Sequence, residues 1–420
     1  MIRILQISDI HWTKRKNWDA DFPGMKARFL VDLKDYHKAK GSIDYVFVCG
    51  DVAFKGAKDE YDEAKEYIEK ICKIVGCKDE QVFVVPGNHD LNRKAAGANI
   101  REMMNAALSC EGRNKDFFDE SILKTTNLKE SAYRAFEHYY EFSTRYLCQE
   151  AVMGKCLQSN GEEAITDDDK LYYHERLAKK EGTFNISVRG VNTALNCDEW
   201  DYNDEKNEGH RQFLPRRAYV MDEVKKQEIR IILGHHPLEF LTNKEEIEQY
   251  LNNHYHIQFF GHVHEQKVHE KNRLEGNFVR VYSGAFDPPK DKKAPERYKP
   301  IYNLVEIEQK DEGHIQVRGE SQIWETNRFV KYDEGCFEKV IEIEQDKNKW
   351  EESAMTVNNP IDARSIKFKY MRLDNRTYYF DKISGVHFKP KTGRSETDNC
   401  LDFLAEVEKM GKLAELKDKM

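Results

Sequence analysis

Short, predominantly apolar runs rich in β-branched residues alternate along most of the chain with longer stretches whose apolar residues recur every three to four positions. The runs are Ile2–Ile7, Tyr45–Cys49, Val82–Val85, Ile229–Leu233 and Ile257–Phe260. Near-continuous apolar character over so few residues predicts strands buried on both faces, as in a largely parallel sheet. Between the first runs, Met25–Lys40 carries Phe29, Leu30, Leu33 and Tyr36, and Glu60–Val75 carries Tyr61, Ala64, Tyr67, Ile68 and Ile71. Each set lies on one face of a helix, so the pattern is strand, helix, strand: an α/β fold.

Every run ends in residues that bind metals. Ile2–Ile7 leads into Asp9-Ile10-His11 and Tyr45–Cys49 into Gly50-Asp51. Val82–Val85 is stopped by Pro86-Gly87 before Asn88-His89-Asp90. Ile229–Leu233 leads into Gly234-His235-His236-Pro237, and Ile257–Phe260 into Gly261-His262-Val263-His264. Open α/β sheets bind ligands beyond the carboxyl ends of their strands, so these clusters are predicted to converge. Carboxylate, amide and imidazole donors together suit Mn, Fe, Zn or Ni. Seven ligands are too many for one catalytic ion that must keep a water, whereas two ions sharing a carboxylate fit the count.

The ordered blocks Asp-x-His, Gly-Asp, Gly-Asn-His-Asp, Gly-His-His-Pro and Gly-His-x-His resemble the calcineurin-like metallophosphoesterase superfamily over about residues 1 to 330. The resemblance implies a four-layer α/β/β/α sandwich. It implies one ion on Asp9, His11, Asp51 and His264, a second on Asp51, Asn88, His235 and His262, and Asp51 as the bridge. Manganese is the favoured metal, a hydroxide between the ions the nucleophile, and His89 the uncoordinated acid facing the leaving group. Asp90 is expected to influence His89 from behind, and His236 either to touch substrate or to pack. The block after Asp51 departs from the protein phosphatases of the superfamily, because Phe54 stands where they carry an Asp that orients the catalytic His, and no Arg follows to clamp a phosphomonoester. The local wording is more similar to the cyclic-nucleotide phosphodiesterase and Mre11/SbcD nuclease branches. The expected function is therefore hydrolysis of a nucleotide or nucleic-acid phosphodiester; the alternatives are a DNA nuclease of the Mre11/SbcD type, a phosphomonoesterase and a non-enzymatic metal-binding scaffold.

Outside the motifs, residues 91–182 read as a helical insertion that leaves the sheet right after His89 and is expected to cap the site. Its largely aromatic stripe, Tyr133, Phe136, Tyr140 and Leu147 with Tyr139, Phe142 and Tyr146 beside them, reads as core, and its polar middle, Gly161–Lys170, as a loop. Lys267–Ser283 is expected to form antiparallel strands and Ile301–Ile307 with His314–Ile323 a closing hairpin. Two loops are candidates for the rim of the site, Trp12–Trp18 and Phe286–Lys293, although packing of the tryptophans and plain solvation are the simpler accounts of them. A catalytic domain is expected over 1–333. An α+β accessory region follows over 334–420, ending in an amphipathic helix at Thr397–Lys417 that could pair two chains.

Composition narrows the setting. With 39% hydrophobic and 34% charged residues, the chain is a globular protein with a highly charged surface, and its net charge of -8 argues against coating nucleic acid by bulk charge. Nine cysteines without framework spacing read as reduced thiols of a cytoplasmic protein. No apolar run is long enough to span a membrane, and the N-terminal one meets Asp9 and His11 too soon to serve as a signal peptide.

Overall fold

The computed structural model describes residues 1–12, 21–96, 132–146, 171–179, 185–198, 201, 209, 211–221, 228–264, 276–287, 298–311, 313–343, 355–358, 365–368, 370–373 and 376–379. Its first compact unit runs from Met1 to Ile343 and its second from Glu344 to Met420.

Two sheets make the first unit. β1 (Ile2–Ile7), β2 (Tyr45–Cys49) and β3 (Val82–Val85) are parallel neighbours at one side of a six-stranded sheet. The antiparallel strands β9 (Ile301–Gln309), β10 (His314–Glu325) and β11 (Arg328–Glu342) complete it on the other side of β1. The second sheet has five strands in the order β4 (Tyr173–Lys179), β5 (Asn185–Val191), β6 (Glu228–Leu233), β7 (Ile257–Phe260) and β8 (Val279–Tyr282). All its pairings are parallel except that of β4 with β5.

The inner faces of the sheets form one apolar layer, in which Ile4, Phe47, Phe83 and Val85 meet Val188, Ile231, Leu233 and Phe259. The Phe47 and Phe259 rings lie edge to face at 5.4 Å between centroids. Residues buried on both faces cannot alternate with polar ones, which is why these strands read as continuous apolar runs. Helices cover the outer faces. α1 (Asp21–Lys40) contributes Met25, Phe29 and Leu33, and α2 (Lys58–Val75) contributes Tyr61, Ala64, Ile68, Ile71 and Val75. α2 begins where the Glu60 carboxylate accepts the N–H groups of Lys55 and Ala57 and ends at Gly76, whose φ of 77° is the left-handed cap glycine favours. α5 (Lys244–His254) buries Ile247 and Leu251 against the second sheet. The result is the α/β/β/α sandwich that the family resemblance implies.

Three boundaries differ from the sequence reading. The 91–182 stretch was expected to be a helical insertion around a polar loop, but Tyr173–Lys179 is strand β4, hydrogen-bonded to β5, so its polar alternation belongs to a sheet edge. β8 is parallel to β7 rather than one of an antiparallel pair. A boundary after residue 333 would fall inside β11, which pairs with β10 from Arg328 to Glu342 through the two-residue turn Thr326-Asn327. Both turn residues have positive φ, the conformation of a tight hairpin, and β11 reads poorly because it is a sheet edge with a largely exposed face.

Within the insertion, α4 (Glu137–Thr144) packs on α2, with Phe142 at 5.2 Å from the Tyr61 ring. The Tyr139 hydroxyl donates to the carbonyl of Val84, covering the edge strand β3. Most of the expected cap, including Gly161–Lys170, lies outside the described residues, as do Thr13–Trp18, Pro288–Lys293 and Thr397–Lys417. In the second unit, Met355–Asn358 pairs with Ser365–Phe368 and Tyr370–Leu373 with Arg376–Tyr379, both antiparallel.

Candidate metal centre

Past the carboxyl ends of β1 and β2 the two chains stay in register, with Asp9 N–H donating to Gly50 and His11 N–H to Asp51. Asp9, His11 and Asp51 have φ of 54°, 50° and 53°, and His262 has 66°. Side-chain-bearing residues in this region cost about 1–3 kcal/mol each, and such strain gathers where a site needs it. Two motif glycines are there for room. A Cβ on Gly87 would collide with the Asp51 carboxylate, and one on Gly50, whose φ is 88°, with the His235 ring.

The motif loops bring all seven predicted ligands together. Donor atoms of Asp9, His11, Asp51 and His264 lie within 4.8 Å of one another, and so do those of Asp9, Asp51, His235 and His262. Asn88 joins the second group, its Oδ1 3.1 Å from His235 Nε2. Asp51 sits at the centre. Its Oδ1 accepts the backbone N–H of His89 at 2.8 Å, while its Oδ2 faces His11 Nε2 at 3.2 Å and His235 Nε2 at 3.4 Å. One oxygen is thus anchored and the other is the point the groups share. Asp9 divides its oxygens similarly: Oδ2 accepts from the Ser8 hydroxyl and the His262 N–H, and Oδ1 lies 3.0 Å from His264 Nε2.

The histidine tautomers test whether a cation fits. His11 Nδ1 donates to the Asp287 carbonyl at 3.2 Å and His235 Nδ1 to the Cys49 carbonyl at 2.8 Å. Each ring therefore turns its Nε2 to the Asp51 carboxylate, where a bare lone pair would meet an oxygen and only a proton or a metal ion makes the contact attractive. Burial alone would lower both histidines, but the Asp51 charge and hydrogen bond overcome it and lift each to about 9. Asp51, which burial would raise, is held well below the carboxylate range first by His235. Two buried carboxylates among imidazoles whose outer nitrogens are already fixed are a donor set that fits divalent first-row ions.

His89 stands apart from the donors. Its Nδ1 donates to the Phe54 carbonyl at 3.0 Å, and the Phe54 ring stacks on it with centroids at 5.2 Å. The carbonyl and the ring thus do the orienting that an Asp at position 54 would do. Asp90 faces backwards: its carboxylate accepts the N–H groups of Val52, Ala53 and Gly87 and the Tyr61 hydroxyl. It ties the loop after β2 to the loop after β3, and burial followed by the Asp51 charge pushes it up to about 6. His236 is buried, its N–H donating to the Thr193 hydroxyl, which in turn donates to Nδ1. Burial, then His235, pushes it down to about 3. It packs against His235 and His262 at 4.8 Å and 4.7 Å between centroids.

Two supports of the site were not singled out individually in the sequence: the Ser8 hydroxyl donates to Asp9 Oδ2, and the Asp287 carbonyl accepts from His11 Nδ1. Phe286 and Asp287 dock on the first motif, their N–H groups donating to the carbonyls of Ser8 and Asp9, so the start of the Phe286–Lys293 loop does border the site. Trp12 turns inward instead, its Nε1 on Glu63 at 2.7 Å and Lys26 Nζ 3.6 Å from its ring.

The chain is 26% identical over 289 residues to the metallophosphoesterase-like protein YydB of Bacillus subtilis (strain 168), which covers 68% of this chain and 53% of that protein, so the chain spans about half the length of that relative. Among solved structures, purple acid phosphatase PPD1 from yellow lupin aligns over 82% of this chain and 54% of its own with a TM-score of 0.39 at 14% identity. The calcineurin-like phosphoesterase YfkN from Bacillus subtilis aligns over 81% and 90% with a TM-score of 0.29 at 10% identity. No helix among the described residues is long and apolar enough to cross a membrane. The family model for calcineurin-like phosphoesterases matches residues 2–266, the span that contains every one of the converging donors, and the chain belongs to that family.

Proposed function

We propose that the protein is a divalent-metal-dependent hydrolase of phosphodiesters, acting on a nucleotide or nucleic acid, with manganese as the favoured metal. The observation that carries this reading is the pair of donor groups meeting at Asp51 Oδ2 beside an uncoordinated His89. Asp9, His11, Asp51 and His264 would hold one ion and Asp51, Asn88, His235 and His262 the other. Bound there, the ions would supply an activated water and positive charge against the phosphoryl oxygens.

The chain's own residues do the rest. With Nδ1 on the Phe54 carbonyl, His89 has only Nε2 to offer the substrate. A proton there goes to the leaving oxygen as the phosphorus–oxygen bond breaks, worth about 10² to 10⁴-fold for an alkoxide leaving group. Asp90 keeps the loops carrying Asp51 and His89 in fixed relation. The preference for diesters rests on the missing arginine after Asp51, since a monoester's extra charge finds no clamp in that block.

A panel of bis-p-nitrophenyl phosphate, p-nitrophenyl phosphate, cyclic nucleotides and single- and double-stranded DNA, each with added metal, tests the reading. Higher kcat/KM on the bis ester than on the monoester is expected. The reverse order would overturn the diester assignment, and a purified protein that holds no stoichiometric transition metal would favour a scaffold.

A further inference from the structure

The loop that carries His89 continues into a short helix, α3 (Arg93–Ala96), and its first residue is a cation that the ligand motifs do not use. Arg93 Nη2 lies 3.8 Å from Asp201 Oδ2, beyond hydrogen-bonding distance, and the Arg93 side chain is 44% exposed while Asp201 is 16% exposed. Asp201 is itself firmly held. Its Oδ1 accepts the N–H of Asp198 and the Gln212 amide, each at 2.9 Å, while its buried Oδ2 has no hydrogen-bond partner. Gln212 in turn donates its N–H to the Phe240 carbonyl, and the Phe240 ring lies 4.6 Å from His262. The pair thus joins the loop after β3 to the segment after β5, one from each sheet, and through Gln212 and Phe240 its acidic end backs onto His262. Arg93 follows His89 by four residues, in the same stretch beyond the carboxyl end of β3.

A carboxylate fixed on one oxygen and aligned with, but not bonded to, an exposed guanidinium orients that cation without consuming its donors. Five N–H groups in a planar fork match a phosphate bidentately. We propose that Arg93, oriented by Asp201, binds a second anionic group carried on the leaving side of the substrate: a further phosphate beyond the ester that is cut. The inference rests on the phosphodiester reading and narrows it to substrates such as oligonucleotides or phosphorylated dinucleotides. It also assigns the chain an arginine that the block after Asp51 lacks, displaced from the reacting phosphoryl to its neighbour.

The test uses the full chain loaded with manganese. For wild type, Arg93→Ala, Arg93→Lys and Lys94→Ala, kcat/KM is measured on the thymidine dinucleotide with phosphates at both ends and on the same dinucleotide without them. Calorimetry then gives Kd for thymidine 3',5'-bisphosphate, a leaving-side product mimic. Arg93→Ala should lower the ratio of kcat/KM between the two dinucleotides, and weaken bisphosphate binding, by about 10- to 100-fold. Arg93→Lys should fall between, and Lys94→Ala, which removes an equal charge one residue away, should keep the wild-type ratio and Kd. Equal losses on both dinucleotides would place Arg93 on the reacting phosphoryl and overturn the inference, as would a Kd that responds alike to Arg93→Ala and Lys94→Ala. If wild type cleaves no diester at all, the phosphodiester reading fails on its own, and the bisphosphate titration still decides the role of Arg93.

Discussion

Asp51 divides its two oxygens between structure and chemistry, and that division predicts how it fails. Oδ1 accepts the His89 N–H and Oδ2 faces two imidazoles, so Asp51→Asn would keep one acceptor but place a neutral oxygen or an NH₂ group at the shared point. Metal content measured by mass spectrometry should fall at both positions and turnover should disappear; full occupancy with retained activity would refute a shared carboxylate. His89 is a different case because it belongs to neither donor group. His89→Gln should keep the metal content and cost a ribose-leaving substrate about 10² to 10⁴-fold, while p-nitrophenolate, which departs without a proton, should lose much less. Equal losses on both leaving groups would mean that His89 stabilises charge on the phosphoryl group instead of donating a proton.

Secondary elements determine how far these positions could be read in advance. Strands β1, β2, β3, β6 and β7 are buried on both faces, so their apolar runs and the polar residues that end them were legible, and with them Asp9, His11, Asp51, Asn88, His235, His262 and His264. What the runs cannot show is contact between loops. That Asp90 grips Val52 and Ala53, that the Phe54 carbonyl replaces a carboxylate on His89, and that Arg93 reaches toward Asp201 all depend on pairs far apart in sequence with no periodicity to mark them. The sheet edges β4 and β11 escaped for the opposite reason, since half-exposed strands lose the continuous apolar signal. The Asp90 contacts give a test at this scale. Asp90→Asn turns an acceptor of three backbone N–H groups partly into a donor, and should cost about 1–3 kcal/mol in denaturant unfolding while lowering kcat with metal content retained. Tyr61→Phe removes one bond from the same carboxylate and should show a smaller loss in the same direction. Wild-type stability and kcat in Asp90→Asn would rule out the brace.

At the scale of the molecule, the donors come from two sheets. Asp9, His11, Asp51 and Asn88 follow strands of the six-stranded sheet, while His235, His262 and His264 follow strands of the five-stranded one. An ion held by both sets ties the sheets together at their carboxyl ends, in addition to the apolar layer between them. Such an ion stabilises the folded chain by RT ln(1 + [metal]/Kd), about 2.7 kcal/mol at a concentration one hundred times Kd. Its effect must depend on pH, because without it the Asp51 carboxylate holds protons on His11 and His235, both lifted from 6.5 to about 9. Raised histidines stabilise the metal-free fold fully below 6.5, and that contribution is lost as the pH rises through 9. An ion has to displace those same protons, so its own contribution grows over the same interval. Thermal unfolding between pH 6.5 and 9 with excess manganese or with EDTA should therefore show two curves that diverge as the pH rises, the EDTA curve falling and the manganese curve holding. His235→Asn removes one of the two titrating rings and should make the EDTA curve flatter. Parallel curves, or a gap that narrows toward pH 9, would show that the protons on His11 and His235 do not compete with the metal, and the placement of both rings among the ligands would have to be abandoned.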